Sequence, residues 1–490
     1  MSDPSLFEEF EPIETSESGW FDGLFDIDVR SLAVLRVFLG LLVIYEVWGC
    51  LANQDCFFSE SGIATIDQIQ TWLGDGWWSL YFIDGSPSLA RMLMILTLIT
   101  AACMTVGLRT RVMTFICLVL IWSLQVRDPL ILNGGHILLR MLLFWSLFLP
   151  MSAVWSLDER LGEYADPERW RERSVCTAAI MLQMAFMYYF SGLAKCNPAW
   201  TSGEAVGQVF EMDMYVKPMG AWLNNSHPWV TKIVTWVVLG AETLGPVLLF
   251  GPKIHQAARG FFMALFLLMH LGIWLTLDAG IFPLVAAAGW VIFIPTQVWD
   301  LVHFRPSDCQ DPYEKRFTVT NVLCTTALLY VAASHILTSG PMAAQWQSSG
   351  AEYPGRVAMI TQEFKLFGEP PVFNPSYQYQ ATLADNSKVE IFSAMYSSRP
   401  ENPSPYEYFG SQQWRRIHSN LSTAPDAPVS PEIQELREQL LQSVVDQWNN
   451  THGSNQFVKS AELTCVIETI NDEDAEPVVQ KWANWTDAQP

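Results

Sequence analysis

The sequence predicts a polytopic α-helical membrane protein of about nine transmembrane helices, followed on the outer side by a small α+β domain. Three observations carry that prediction. Nine mostly apolar runs lie between residues 31 and 338, close to the ~20 residues that cross the hydrocarbon core of a bilayer. Charged residues make up only 16% of the 490-residue chain, against about 25% in an ordinary soluble protein. After Ser339 the composition turns polar and rich in turn formers, which closes the membrane part. The 21 Trp and 28 Phe suit the aromatic belts of two interfaces.

Residues 1–29 read as an acidic cytoplasmic arm with no basic residue before Arg30. They lack an apolar core, so no cleavable signal is expected and the first span serves as the insertion signal. The spans fall at 31–52, 89–106, 110–126, 136–154, 175–195, 230–250, 257–277, 281–299 and 318–338. Basic residues gather in alternate connections: Arg109 and Arg111; Arg160, Arg169, Arg171 and Arg173; Lys253 and Arg259; Arg305, Lys315 and Arg316. The segment 53–88 has none, and the third connection holds only Arg127. By the positive-inside rule this places the N-terminus in the cytoplasm and the C-terminus outside, in a periplasm or lumen. Residues 30–338 are thus the membrane domain and 339–490 the extracytoplasmic one.

In that outer part, YQYQATLADNSKVEIFSA alternates about a turn at 384–387 and reads as a β-hairpin. Pro431 opens an amphipathic helix to Asn449, and 457–470 reads as another strand. Asn420, Asn449 and Asn484 head glycosylation triplets that matter only in a glycosylating host. The nine Cys include no CxxC pair, so no zinc site is visible. A net charge of −22 argues against nucleic acid as a partner. The membrane itself is the first partner expected.

Ionisable groups inside spans are costly and commonly functional. Glu46, His136, Arg140, Lys195 and His270 all fall toward the outer side, which points to a polar cavity open there. Each also has a plainer reading. Arg36 lies near enough to the inner surface to snorkel, Glu242 can pair with Arg140 to hold helices together, and His270 can be a satisfied core histidine. Lys195 ends the stretch FMYYFSGLAK before Cys196-Asn197-Pro198, so it is either an interfacial anchor or a working residue. A lysine acts as a base only where burial disfavours its charged form.

Four strings in order, DVRSLAVLRVFLGLLVIYE, NGGHILLRMLLFWSLFLPMSAVWSLD, YYFSGLAKCNPAW and GIFPLVAAAGWVIF, resemble the vitamin K-dependent γ-glutamyl carboxylases and their bacterial relatives, the horizontally transferred transmembrane-domain proteins. The resemblance implies an integral membrane enzyme that couples oxidation of a reduced quinone to carboxylation of glutamate side chains. Lys195 stands where the family has the base for vitamin K hydroquinone, although the family's lysine doublet is Ala194-Lys195 here. His136 stands near the family's histidine of the glutamate half-reaction. Arg140, His270, Tyr188, Tyr189 and Trp200 are the candidate cofactor-binding residues around them. The implied cofactor is reduced vitamin K, a menaquinol-like hydroquinone, with O2 and CO2 as co-substrates. The implied partner is a secreted or membrane protein or peptide bearing glutamate. A Cys56–Cys465 disulfide is compatible with their sidedness. Two other classes stay open: a transporter or lipid-binding protein of the same fold, and a scaffold for a secreted partner.

Overall fold

In the computed structural model the described residues are 23–162, 170–251, 255–302, 319–339, 342–364, 367–397, 404–470 and 475–487. Most of the acidic arm, and the basic residues Arg169, Lys253, Arg305, Lys315 and Arg316, lie outside them. Several helices of the membrane bundle have starts fixed by side-chain caps or by Pro. Asp28 caps α1 (Val29–Leu51), Ser86 with Pro87 opens α2 (Pro87–Val106), and α3 (Thr110–Arg127) follows a left-handed turn at Gly107. Asn133 caps α4 (Gly134–Ser146), Ser174 caps α5 (Val175–Ala194), and Pro228 is the first residue of α6 (Pro228–Leu248). The bundle continues through α7 (His255–Thr276), α8 (Phe282–Trp290), α9 (Thr296–Val302) and α10 (Val319–Thr338). Caps of this kind satisfy N–H groups that have no partner within the helix.

Among the described residues, seven helices are long and apolar enough to cross a membrane, or eight if the bent pair at 282–302 is one span. Two expected spans therefore differ from straight helices. The run expected at 136–154 is helical only as far as Ser146, in a helix of 13 residues that starts at Gly134, about 20 Å of rise. The remainder is a chain of turns, and Arg36 holds it by donating to Met151 O (3.0 Å) and Trp155 O (2.6 Å). Arg36 does not snorkel: it is 1% exposed. The run expected at 281–299 bends by 93° between Phe293 and Thr296, where Pro295 intervenes.

Two contacts set the direction of the helices. Strand β1 (Ile27–Asp28) pairs antiparallel with β2 (Arg171–Glu172), which places the starts of α1 and α5 side by side. Asp158 accepts from the backbone N of Arg109 and Thr110 at the start of α3. Residues 134–158 therefore return the chain from the far end of α3 to its near end, although less than a full span is helical. The lysine at the end of α5 thus shares one end of the bundle with the ends of α1, α3 and α7.

The C-terminal sheet sits on that same end. Its order is β4-β3-β5-β6, all antiparallel, with β3 (Phe373–Leu383), β4 (Lys388–Glu390), β5 (Val458–Thr469) and β6 (Val478–Thr486). The expected hairpin is present, but its second strand stops at Glu390. The Glu390 carboxylate accepts from Ser393 N at 2.6 Å and starts a helix over Ile391–Tyr396. The helix α11 (Gln412–Leu421) and strand β6 were not anticipated. Helix α12 (Pro431–Thr451) covers β5 and β6 with Leu440, Leu441, Val444 and Val445 buried. The sheet unit is tied to the bundle through α11: Arg415 pairs with Asp278 at 2.5 Å, Arg416 donates to Leu132 O at 2.9 Å, and Asn420 donates to Leu130 O. The Cys56–Cys465 disulfide is not formed. Both thiols are free, and Cys56 donates to Gln447 in α12 instead.

His418 in α11 is fully buried among Tyr377, Tyr379, Phe392 and Phe409. Its Nδ1–H donates to Trp414 O (2.6 Å) and its Nε2 accepts from the Tyr379 hydroxyl (2.7 Å). Burial pulls it from an ordinary 6.5 down to about 4. Between those values the unfolded chain binds the proton and the folded chain does not, so stability falls as pH falls through that window. Acidification should cost this unit roughly 3 kcal/mol in all. Amide hydrogen exchange in β3 and β5 should accelerate as pH falls from about 6.5 to about 4, after correction for intrinsic rates, and His418→Gln should flatten that dependence. An equally steep dependence in the variant would refute this assignment.

Candidate functional site

Lys195 is the C-cap of α5, and its placement starts with Gly192 one turn earlier. A Cβ on Gly192 would stand 2.8 Å from the carbonyl carbon of Glu242 in α6. Only a glycine admits the α6 backbone so closely, and this proximity brings Lys195 Nζ to 2.6 Å from Glu242 Oε2. Both side chains are buried. Glu242 therefore pairs with Lys195 and not with Arg140. Trp200 completes the setting with its ring centroid 5.2 Å from Lys195 Nζ, near enough for a cation–π contact.

Beyond the helix end, Asn197 Nδ2 donates to Gly368 O (2.6 Å) and Trp200 Nε1 donates to Phe367 O (3.0 Å). These bonds fasten onto the bundle a stretch whose described residues, 360–364 and 367–368, are non-helical. The same stretch reaches inward. Gln362 exchanges hydrogen bonds with Gln183 in α5 (2.7 and 3.2 Å), and Arg140 donates to Thr361 O. Irregular backbone is tolerated at such a place only when protein groups satisfy it.

Lys195, Glu242, Tyr188, Ser191 and Trp200 line a cavity of about 330 Å³. Its other walls are mostly apolar side chains of α6 and α7 and of the connection before α6 (Val206, Val209, Phe210 and Leu223), with Phe282 and Phe367. Val234, Val237 and Leu268 are also exposed on the outside of the bundle, so the cavity opens sideways between α6 and α7. The Ser191 hydroxyl is buried and has no hydrogen-bond partner among the described residues. Tyr188 OH is held by His270 Nε2 (2.5 Å) and by Trp290 Nε1 (2.9 Å), which orients the phenol from behind.

His136 stands in a different compartment. Its Nδ1 accepts from Asn133 N (3.0 Å), so the ring proton lies on Nε2 and is directed at Glu46 Oε1, 2.8 Å away. Glu46 lines a second, more polar cavity of about 670 Å³ between the bundle and α11, with Lys217, Asp278, Glu407 and Arg415. Phe282 forms part of the partition: it lines the first cavity while its backbone lies 2.6 Å from where a Cβ on Gly135 would stand. Leu277 borders both cavities. The structure therefore places Lys195, Tyr188 and Trp200 around one cavity, with His270 behind Tyr188, and sets His136 next door.

The remaining candidates have other roles. Arg140 donates to Gln125 Oε1 (2.7 Å), lies over the Trp122 ring (4.9 Å) and holds Thr361 O, so it braces the inserted segment. Gln125 in turn donates to His136 O (2.8 Å). Tyr189 packs beside Phe190 and does not line the Lys195 cavity. The sequence reading missed Ser191, the inserted segment and the Glu46 partner of His136. The outward bias of ionisable groups pointed to Glu46, whereas nothing in the local pattern marked residues 360–368.

This combination defines a helical membrane domain with buried ion pairs at the end that carries an α+β unit. Residues 25–299 match the HTTM domain. That is more than half of the chain, and the protein belongs to the HTTM family. No curated protein and no solved structure gives a match.

An ion pair sealed from water is fragile to loss of one partner, because the other charge is then stranded. Glu242→Leu should destabilise the protein by about 3–5 kcal/mol, and Lys195→Met combined with Glu242→Leu should recover most of that loss. Thermal unfolding of the purified variants in detergent tests this; a double variant no more stable than Glu242→Leu alone would contradict a dry, mutually dependent pair.

Proposed function

We propose that this protein is a membrane enzyme of the vitamin K-dependent carboxylase type, coupling oxidation of a reduced quinone to carboxylation of glutamate side chains. The observation that supports it best is the buried Lys195–Glu242 pair at the wall of an apolar cavity with a lateral opening. A lipid-soluble hydroquinone enters such a cavity from the hydrocarbon without crossing water. The residues suit it: the apolar side chains hold a fused ring and prenyl tail, the unpartnered Ser191 hydroxyl offers a hydrogen bond, and Trp200 and Tyr188 offer aromatic faces. When bound, the hydroquinone supplies reducing equivalents and, with O2, the strong base that glutamate deprotonation needs.

In this reading the protein's own contribution is to move and hold a proton. The pair begins as ammonium and carboxylate and accepts a proton on Glu242, which leaves Lys195 Nζ as an ammonium that stabilises an oxyanion in the cavity. Trp200 and Phe367 shield that position from water. His136, held as a neutral Nε2–H donor toward Glu46, serves the second cavity, where Lys217 and Arg415 supply positive charge for a glutamate-bearing peptide. CO2 is the co-substrate there. The C-terminal unit then lies on the extracytoplasmic side and presents a secreted or membrane protein substrate, with the N-terminus in the cytoplasm.

The alternative is a lipid- or ligand-binding protein of the same fold without carboxylase activity, favoured by the almost wholly apolar lining of the first cavity. One assay separates them. Purified protein in lipid nanodiscs, given vitamin K hydroquinone and O2, should form the epoxide, and Lys195→Met should lower that rate by about 100-fold or more. Saturable hydroquinone binding without epoxide in the wild type would favour the alternative.

A further inference from the structure

We propose that Cys176 and Cys324 form a reversible disulfide that staples the last membrane helix to the helix carrying Lys195. The two sulfurs are 2.8 Å apart although 148 residues separate them in the chain, and both residues are buried. No other function described above uses either thiol. Cys176 is the second residue of α5 and Cys324 the sixth of α10, so the contact joins the beginnings of two helices. Nearer the other end, His335 of α10 stacks on Phe190 of α5 with centroids 4.9 Å apart and planes 9° apart. The contacts advance together along both helices, which therefore run parallel.

This staple matters because, among the described residues, α10 has little else in the bundle to hold it. Its main partner in the bundle is α5, and much of its surface, including Val319, Leu323, Leu329 and Ile336, faces outward. Lipid gives no hydrophobic drive for two such helices to associate. Yet α10 leads into the segment that packs beside Lys195, and His335 also stacks on Phe364 of that segment. A covalent link at the start of α10 fixes its register against α5, and so fixes where the rim of the Lys195 cavity begins.

The chemistry balances with a hydroperoxide as oxidant. The Cys176 thiolate, at the helix end where free N–H groups stabilise negative charge, attacks the peroxide oxygen and becomes a sulfenic acid, releasing water or an alcohol. The Cys324 sulfur then attacks that sulfur, the S–S bond forms, and a second water leaves with the thiol proton. A dithiol reductant returns both thiols and is itself oxidised to a disulfide.

The test needs only the full chain in nanodiscs with hydrogen peroxide as probe, followed by alkylation, digestion and mass spectrometry without reduction. A peptide linked through Cys176 and Cys324 should become the major form of both cysteines and vanish on treatment with dithiothreitol. In Cys324→Ser, dimedone should instead capture Cys176 as a sulfenic acid. Recovery of both cysteines as alkylated thiols after peroxide, or linkage of either to a different cysteine, would overturn the proposal. Because the first measurement uses unmutated protein, a folding defect in the variant cannot rescue a negative result.

Discussion

A charge pair buried where water cannot reach it constrains everything around it. Lys195 and Glu242 come from different helices, so their 2.6 Å contact fixes how α5 and α6 pack. Their closeness rests on a missing side chain at Gly192, and the dryness of the pair rests on Trp200 and the inserted segment. Removing water strengthens the attraction between the charges and raises the cost of separating them. One geometry is thereby selected, with both charged side chains at the wall of the cavity.

A second theme is that buried arginines here serve backbone more than carboxylates. Arg36 binds the carbonyls of Met151 and Trp155, Arg127 those of Ser59 and Ala64, Arg140 that of Thr361, and Arg259 those of Leu24 and Asp26. Each carbonyl belongs to a non-helical stretch. In a low-dielectric setting such groups lack water as a partner, and an unsatisfied one costs several kcal/mol. Guanidinium supplies several donors in a fixed fork, so one side chain can hold two carbonyls. The irregular segments are therefore possible at these places because arginines were buried to support them.

The membrane helices were legible because hydrophobic length and caps are local signals: the starts at Val29, Pro87, Val175 and Pro228 lie within two residues of those expected. The short α4 and the bend at Pro295 were not, since an apolar run reports burial and not helicity. In the sheet unit, the period of two exposed β3 and β5, whereas β6 (VVQKWANWT) has a weaker alternation. At the site, Lys195 was marked by its place at a helix end, and Glu242 by its charge inside a span. Their pairing was not readable, because it depends on which helices neighbour each other. For the same reason His136 was grouped with Lys195, when Phe282 and Leu277 divide them.

Residues 360–364 and 367–368 belong in sequence to the polar part of the chain and in space to the membrane bundle. Gln183, Arg140, Asn197 and Trp200 all direct hydrogen bonds at them. A protein trimmed where the apolar runs end would leave those donors facing nothing, inside a medium that offers no replacement. The smallest membrane piece able to stand alone therefore ends after Gly368, 30 residues past the border at 338 that hydropathy draws.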